Sequence, residues 1–322
     1  MPRRALLIGI DSYQNFTGLG GAVADAQAMK RLLERNDDKS VNYHCRLIVN
    51  PDGRQVTKER LRQLWRELFD NTDDEVLFYF AGHGAPGLAD GYICTCDGTR
   101  GDPGLPMSEL LTIANRSRAR EVLLILDCCH AGHLGDPPNL GAWGAENQAQ
   151  LREGVTILAA TRQSQEAMES SLSGRFTALV LAALSGGAAD VRGFVSAPAL
   201  YAYVEQALGP WDQRPLFKSY TSCLSPIRRC RPRVPDERLY RLEEIFPEPS
   251  SSLQMQPSYE RTSPSAIPEH VEMFDLLKQY RNAGLIRTVD HDDLFFAAMH
   301  GGRVELTALG KGYWRLVAEG WI

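Results

Sequence analysis

The stretch Val76-Leu77-Phe78-Tyr79-Phe80-Ala81-Gly82-His83-Gly84 decides the fold. Five β-prone apolar residues run without interruption into a histidine set between two glycines, the pattern of a buried strand whose end opens into a loop. A second stretch downstream repeats the design as Val122-Leu123-Leu124-Ile125-Leu126-Asp127-Cys128-Cys129-His130-Ala131-Gly132. Strands this apolar have no face to give to water, so they belong inside a parallel sheet covered on both sides.

Working outward, short apolar strands alternate with amphipathic helices. Residues 5–10 form another continuous apolar run. Ala22, Ala26, Met29, Leu32 and Leu33 then recur at helical spacing and predict a helix over 22–36. Strands are expected at 45–49, 92–96 and 155–160, and helices at 107–114, 176–185 and 198–208. Thr57 is placed to cap a helix that buries Leu61, Leu64, Trp65, Leu68 and Phe69. The expectation is an α/β fold, a mostly parallel sheet with helices on both faces, over residues 1–225. Residues 226–268 hold eight of the 18 prolines and the run Ser250-Ser251-Ser252, and read as a Pro-rich linker. From 269 to 322 the order helix, helix, strand, helix suggests a small winged-helix-like module for regulation or interaction. No internal repeat is present.

Composition narrows the function. In 322 residues, 43% are hydrophobic and 23% charged, an ordinary globular balance. Lys and Arg number 35 against 40 for Asp and Glu, a net charge of -5 with no dense basic run, so a phosphate-binding partner is not expected. The C-terminal segment repeats the sign, six basic against eight acidic residues over 269–322, which argues against a transcription regulator. The apolar runs are strand-length, too short to span a bilayer or to serve as a signal segment. Seven cysteines (45, 94, 96, 128, 129, 223 and 230) form no spaced framework, and the reading is a cytoplasmic protein.

The chemistry lies at the two strand ends. Reactive groups in parallel sheets gather at the carboxyl ends of strands. There a cysteine and a glycine-flanked histidine supply a thiol nucleophile and its proton partner. A zinc site built on Cys128, Cys129, His130 and His133 fails, because adjacent cysteines cannot readily face one ion and no Cys-x-x-Cys pair exists.

These motifs together resemble the caspase clan of cysteine peptidases, in particular its metacaspase-like bacterial branch. The resemblance also draws on residues 5–10, on Leu19-Gly20-Gly21-Ala22-Val23-Ala24-Asp25-Ala26, and on residues 155–160 with Glu169 and Gly174-Arg175-Phe176-Thr177. It implies a caspase-like fold over about 1–220, with His83 as catalytic acid and base and Cys129 as nucleophile. The backbone N–H groups of Gly84 and Cys129 would form the oxyanion hole. Cys129 takes the nucleophile's place because it lies two residues after Asp127, which leaves Cys128 as a buried small residue. Asp25 and Asp127 would line a pocket for a basic residue, since paired carboxylates suit a guanidinium; the plain alternative is that both cap local structure. The segment between the motifs is too sparse in acids to cage calcium, and no metal or cofactor is expected.

The resemblance thus implies an endopeptidase cutting protein substrates after Arg or Lys, regulated in bacterial cell death or antiphage defence. An activating ligand or partner would act through the C-terminal module. The competing class is a catalytically idle scaffold or signalling adaptor. Arg152 is the one basic residue in the stretch 133–153, too close to a strand to be a good self-cleavage site.

Overall fold

The run 5–10 lies inside an eight-residue strand that sits deep in a six-stranded sheet, buried on both faces as its composition requires. The computed structural model describes residues 3–50, 56–70, 75–87, 91–129, 131, 134, 151–160, 174–208, 214–223 and 225–322. The chain divides into two compact units, residues 1–189 with 194–230, and residues 190–193 with 231–322.

In chain order the first unit contains β1 (Arg3–Ile10), α1 (Ala22–Leu33), β2 (His44–Asn50), α2 (Lys58–Phe69), β3 (Glu75–Ala81) and β4 (Gly84–Pro86). There follow β5 (Gly91–Thr99), β6 (Asp102–Pro106), α3 (Met107–Arg116), β7 (Glu121–Asp127), β8 (Val155–Ala159) and α4 (Arg175–Ala182). The unit closes with β9 (Phe194–Val195), α5 (Ala197–Gln206), β10 (Leu216–Tyr220) and β11 (Arg228–Arg229). The main sheet has the order β10-β8-β7-β3-β1-β2. Every pair in it is parallel except β10 with β8.

Strand alternation sorts the core into two layers. Leu6, Ile8, Phe78, Phe80, Leu124 and Leu126 face a cluster completed by α2 and α3. Leu7, Leu77, Tyr79 and Ile125 face the other, completed by α1, α4 and α5. Thr57 caps α2 as expected, its Oγ1 accepting the Arg60 N–H at 3.2 Å. Each of the five large side chains buried from α2 contributes about 2 kcal/mol through its removal from water.

At the amino-terminal edge of this sheet Glu75, 8% exposed, accepts from Arg3 at 2.7 Å and from Arg120. Arg3 also donates to the carbonyl of Pro226 at 2.6 Å, and Arg120 to Ser225 Oγ at 3.0 Å. Nearby, Asn42 Nδ2 donates to the Ile227 carbonyl at 3.0 Å, and Arg228 pairs with Asp37 at 2.6 Å.

Several boundaries differ from the sequence expectation. The first helix ends at Leu33 rather than 36. The strand expected at 92–96 is the nine-residue centre of a separate antiparallel sheet, order β4-β5-β6. Neither β4 nor β6 was anticipated: each contains proline and glycine, which local propensity marks as turn. The antiparallel edge strand β10 was also missed, being short and half-polar.

The second unit contains α6 (Asp236–Leu239), α7 (Arg241–Ile245), β12 (Ser252–Gln254), α8 (Pro268–Asn282) and β13 (Ile286–Thr288). It ends with α9 (Leu294–Met299), β14 (Arg303–Leu306) and α10 (Ala308–Ala318), and its sheet is antiparallel in the order β12-β14-β13. This corrects the linker reading. Residues 231–268 contribute Val234, Leu239, Leu242, Phe246, Met255 and Tyr259 to a buried core with Phe274, Leu277 and Tyr280. Three of the prolines there serve as helix starters, Pro257 in the first turn of a short 3-10 helix, Pro268 in the first turn of α8 and Pro235 just before α6. Near the C-terminus Tyr313, Trp314 and Val317 pack against this core, Trp314 donating to the Phe246 carbonyl at 2.6 Å, while Trp321 is 74% exposed. Among the described residues no helix is long and apolar enough to cross a membrane.

Candidate active site

The register of the three adjacent strands sets the geometry. Gly9 of β1 is level with Ala81 of β3, which is level with Asp127 of β7. Asp11, the Gly82-His83-Gly84 turn and the Cys128-Cys129 turn therefore leave the sheet at one carboxyl edge. The Gly82 N–H donates to the Asp127 carbonyl at 3.3 Å, tying the two turns together.

The closest approach is at Gly84. A Cβ placed there would lie 2.0 Å from the Cys129 carbonyl oxygen and 3.0 Å from its nitrogen, so only glycine fits. The His83-Gly84 backbone is thereby seated directly against Cys129. Cys128 is 2% exposed and joins the core layer of Phe80 and Leu126, whereas Cys129 is half-buried. Burial pushes the thiols of Cys45 and Cys94 up to about 12, which removes them as thiolates at neutral pH.

His83 is held by the loop after β1. Its backbone N–H donates to the Tyr13 hydroxyl at 2.8 Å, and its Nε2 lies 2.8 Å from the Thr17 carbonyl. A carbonyl only accepts, so this contact places the proton on Nε2 and leaves the Nδ1 lone pair as the base. The Tyr13 ring packs on the imidazole at 4.8 Å, with Phe16 edge-on at 6.4 Å. Sequence reading missed Tyr13 and Thr17, which lie in a stretch without periodicity, where only the folded chain brings them to His83.

Asp25 sits in the first turn of α1 and does not cap it. The cap is Asp11, whose carboxylate accepts from the N–H groups of Ala22 at 2.8 Å and Val23 at 3.3 Å. Asp25 has no cationic partner among the described residues. Burial first, then the charges of Asp127 and Asp11, raise its carboxyl to about 6. Asp127, 7% exposed, accepts from Thr177 Oγ1 at 2.7 Å, and Tyr79 is 2.7 Å from the same hydroxyl. Since the Thr177 proton goes to Asp127, Tyr79 donates to Thr177. Gly174, with φ +96°, comes within contact of Asp25: a Cβ there would be 3.6 Å from Oδ2. The Gly174-Arg175-Phe176-Thr177 segment thus brings its two ends to the two carboxylates.

Among the described residues no group of three or more His, Cys, Asp or Glu is arranged to hold a metal ion. His130, His133 and Glu169 lie outside the described residues. Asp97 accepts from the Lys58 N–H at 3.1 Å and from Thr95 at 2.7 Å, and Asp102 pairs with the Lys58 ammonium. Arg152 is fastened behind α3, donating to the carbonyls of Ala119 at 2.6 Å and Ala114 at 3.3 Å and to Ser117 Oγ at 3.2 Å.

The mostly parallel α/β sheet thus brings a cysteine and a histidine to neighbouring strand ends. Residues 2–223 match the family model of the caspase domain, and the chain belongs to that family of cysteine peptidases. Comparison with curated proteins gives no match.

Proposed function

We propose that the protein is a cysteine endopeptidase that cleaves after Arg or Lys, with Cys129 as nucleophile and His83 as its proton partner. The contact between Gly84 and Cys129 supports this reading above all, because it joins the two strand ends at one edge. The Cys129 thiol gives its proton to His83 and its sulfur attacks the peptide carbonyl carbon. The C–N bond then breaks as His83 delivers a proton to the leaving amine, forming a thioester that water hydrolyses with His83 as base. The N–H groups of Gly84 and Cys129 receive the oxyanion, each such donor being worth about 3 kcal/mol. Asp25 and Asp127 clamp the basic side chain.

The role we assign is regulated proteolysis in the cytoplasm, in bacterial cell death or antiphage defence, with a ligand or partner acting through the second unit. The test is turnover of three short peptides that differ only in Arg, Lys or Asp before the cleaved bond. Cleavage of the first two and not the third supports the reading. Cleavage after Asp refutes the pocket, and binding without any cleavage favours an idle scaffold.

Control by cutting at Arg152 does not fit its hydrogen bonds to the end of α3. Arg152→Ala should lower the melting temperature, at a cost of about 2 kcal/mol for the lost charged donor, while peptide turnover stays within about twofold. A silent Arg152→Ala variant, with active wild-type protein always nicked there, would establish self-cleavage instead.

A further inference from the structure

The loop between β1 and α1 is fastened on several sides. The Gln14 N–H donates to the Cys96 carbonyl at 3.0 Å, Asn15 Nδ2 to the Gly98 carbonyl at 2.9 Å, and the Leu19 N–H to the Asp11 carbonyl at 2.7 Å. Asn50 bonds to both the N–H and the carbonyl of Ser12, at 3.4 and 3.1 Å. So braced, the loop presents Tyr13 to the underside of the His83 turn. The hydroxyl occupies the space left by Gly82, where a Cβ would lie 2.6 Å from it. It takes the His83 backbone N–H while its ring lies against the imidazole. Two independent contacts of one side chain thus fix both the backbone and the ring of a single residue.

We infer that Tyr13 is a positioning residue that sets the orientation of His83 for proton transfer at Cys129. This rests on the proposed Cys-His chemistry and adds to it the residue that aims the imidazole. Burial holds the phenol neutral well above its ordinary range, so Tyr13 orients His83 without titrating in its place. Proton transfer is steep in geometry: a misplacement of about 1 Å costs on the order of a hundredfold in rate. Removing only the hydroxyl frees the turn, and removing the ring as well frees the imidazole.

The experiment uses the full chain and an Arg peptide, with active sites titrated by an irreversible thiol-directed Arg-peptide ketone so that kcat is counted per competent molecule. Tyr13→Phe should lower kcat about tenfold and Tyr13→Leu about a hundredfold, with KM within about twofold in both. The phenylalanine variant should keep a single cooperative melt. A kcat per titrated site within twofold of wild type in Tyr13→Phe overturns the inference. So does loss of the cooperative melt, which would make Tyr13 a folding residue. The underlying reading fails differently: if wild type does not cleave the peptide, or Cys129→Ala cleaves it equally well, the Cys-His chemistry goes and this inference with it. A dead Cys129→Ala beside an unimpaired Tyr13→Phe removes the inference alone.

Discussion

Cys129→Ala should reduce peptide turnover by at least about a thousandfold, while Cys128→Ala keeps a rate within about threefold of wild type. The two sulfurs are neighbours in sequence and opposite in environment. Cys128 is packed into the core layer beside Phe80 and Leu126, where no carbonyl can reach it. Its replacement removes one buried sulfur and costs about 1 kcal/mol of stability. Cys129 is half-exposed and abuts the His83-Gly84 turn. In the proposed mechanism, replacing it takes away the atom that forms the thioester, and neither the oxyanion donors nor the carboxylates of Asp25 and Asp127 can substitute. The measurement is steady-state hydrolysis of an Arg peptide with thermal melts of both variants. A dead Cys128→Ala beside an active Cys129→Ala would reverse the assignment.

Asp25→Asn should lower kcat/KM on Arg and Lys peptides by about a hundredfold, as expected when one member of a partly buried charge pair is removed, and should also raise the melting temperature at pH 7.5. The two effects have one cause. Among the described residues Asp25 has no cationic partner, and burial together with the charges of Asp127 and Asp11 raises its carboxyl to about 6. Folding therefore favours the protonated form. Between the ordinary value of 3.8 and about 6 the folded state binds more protons than the unfolded chain, so stability falls as pH rises through that window and stays reduced above it. An asparagine carries no charge, and at pH 7.5 it should be the more stable residue by about 1 kcal/mol after solvent screening. That advantage should vanish below about pH 4, where aspartate is also neutral. KM for the Arg peptide should climb in wild type as pH is lowered through about 6, and this climb should be absent in the variant. Unchanged activity with a lower melting temperature would return Asp25 to a purely structural role.

The fold of the first unit was legible because its strands are apolar on both faces and its helices periodic on one. That pattern survives any detail of packing, and 5–10, 76–80 and 122–126 all fall within central strands. Strands that depend on a partner rather than on their own composition were not legible: β4 and β6 are held by β5, and β10 by β8. The prolines of 226–268 suggested an extended chain because composition registers breaks before it registers the short helices between them. Of the residues proposed for the site, His83, Cys129 and Asp127 could be named because they stand at or just after strand ends, and Asp25 because its segment carries the family resemblance. Asp11, Tyr13 and Thr17 could not, because capping α1 from outside its own turn and clamping His83 are contacts made across sequence. Thr177 was quoted within its segment, but its bond to Asp127 needed the helix start to be placed.

The seam between β7 and β8 has a consequence for the chain as a covalent object. Everything before Asp127 and everything after Val155 meet along five levels of parallel pairing, from Val122 with Val155 to Leu126 with Ala159. They meet again at the far edge, where Arg3 and Arg120 hold Pro226 and Ser225, Asn42 holds Ile227, and Arg228 holds Asp37. None of these bonds runs through the connecting peptide. A single hydrolysed bond in that connection would turn one polypeptide into two without dividing the body they build. Gel electrophoresis in denaturant would then count two fragments where size exclusion in buffer counts one particle.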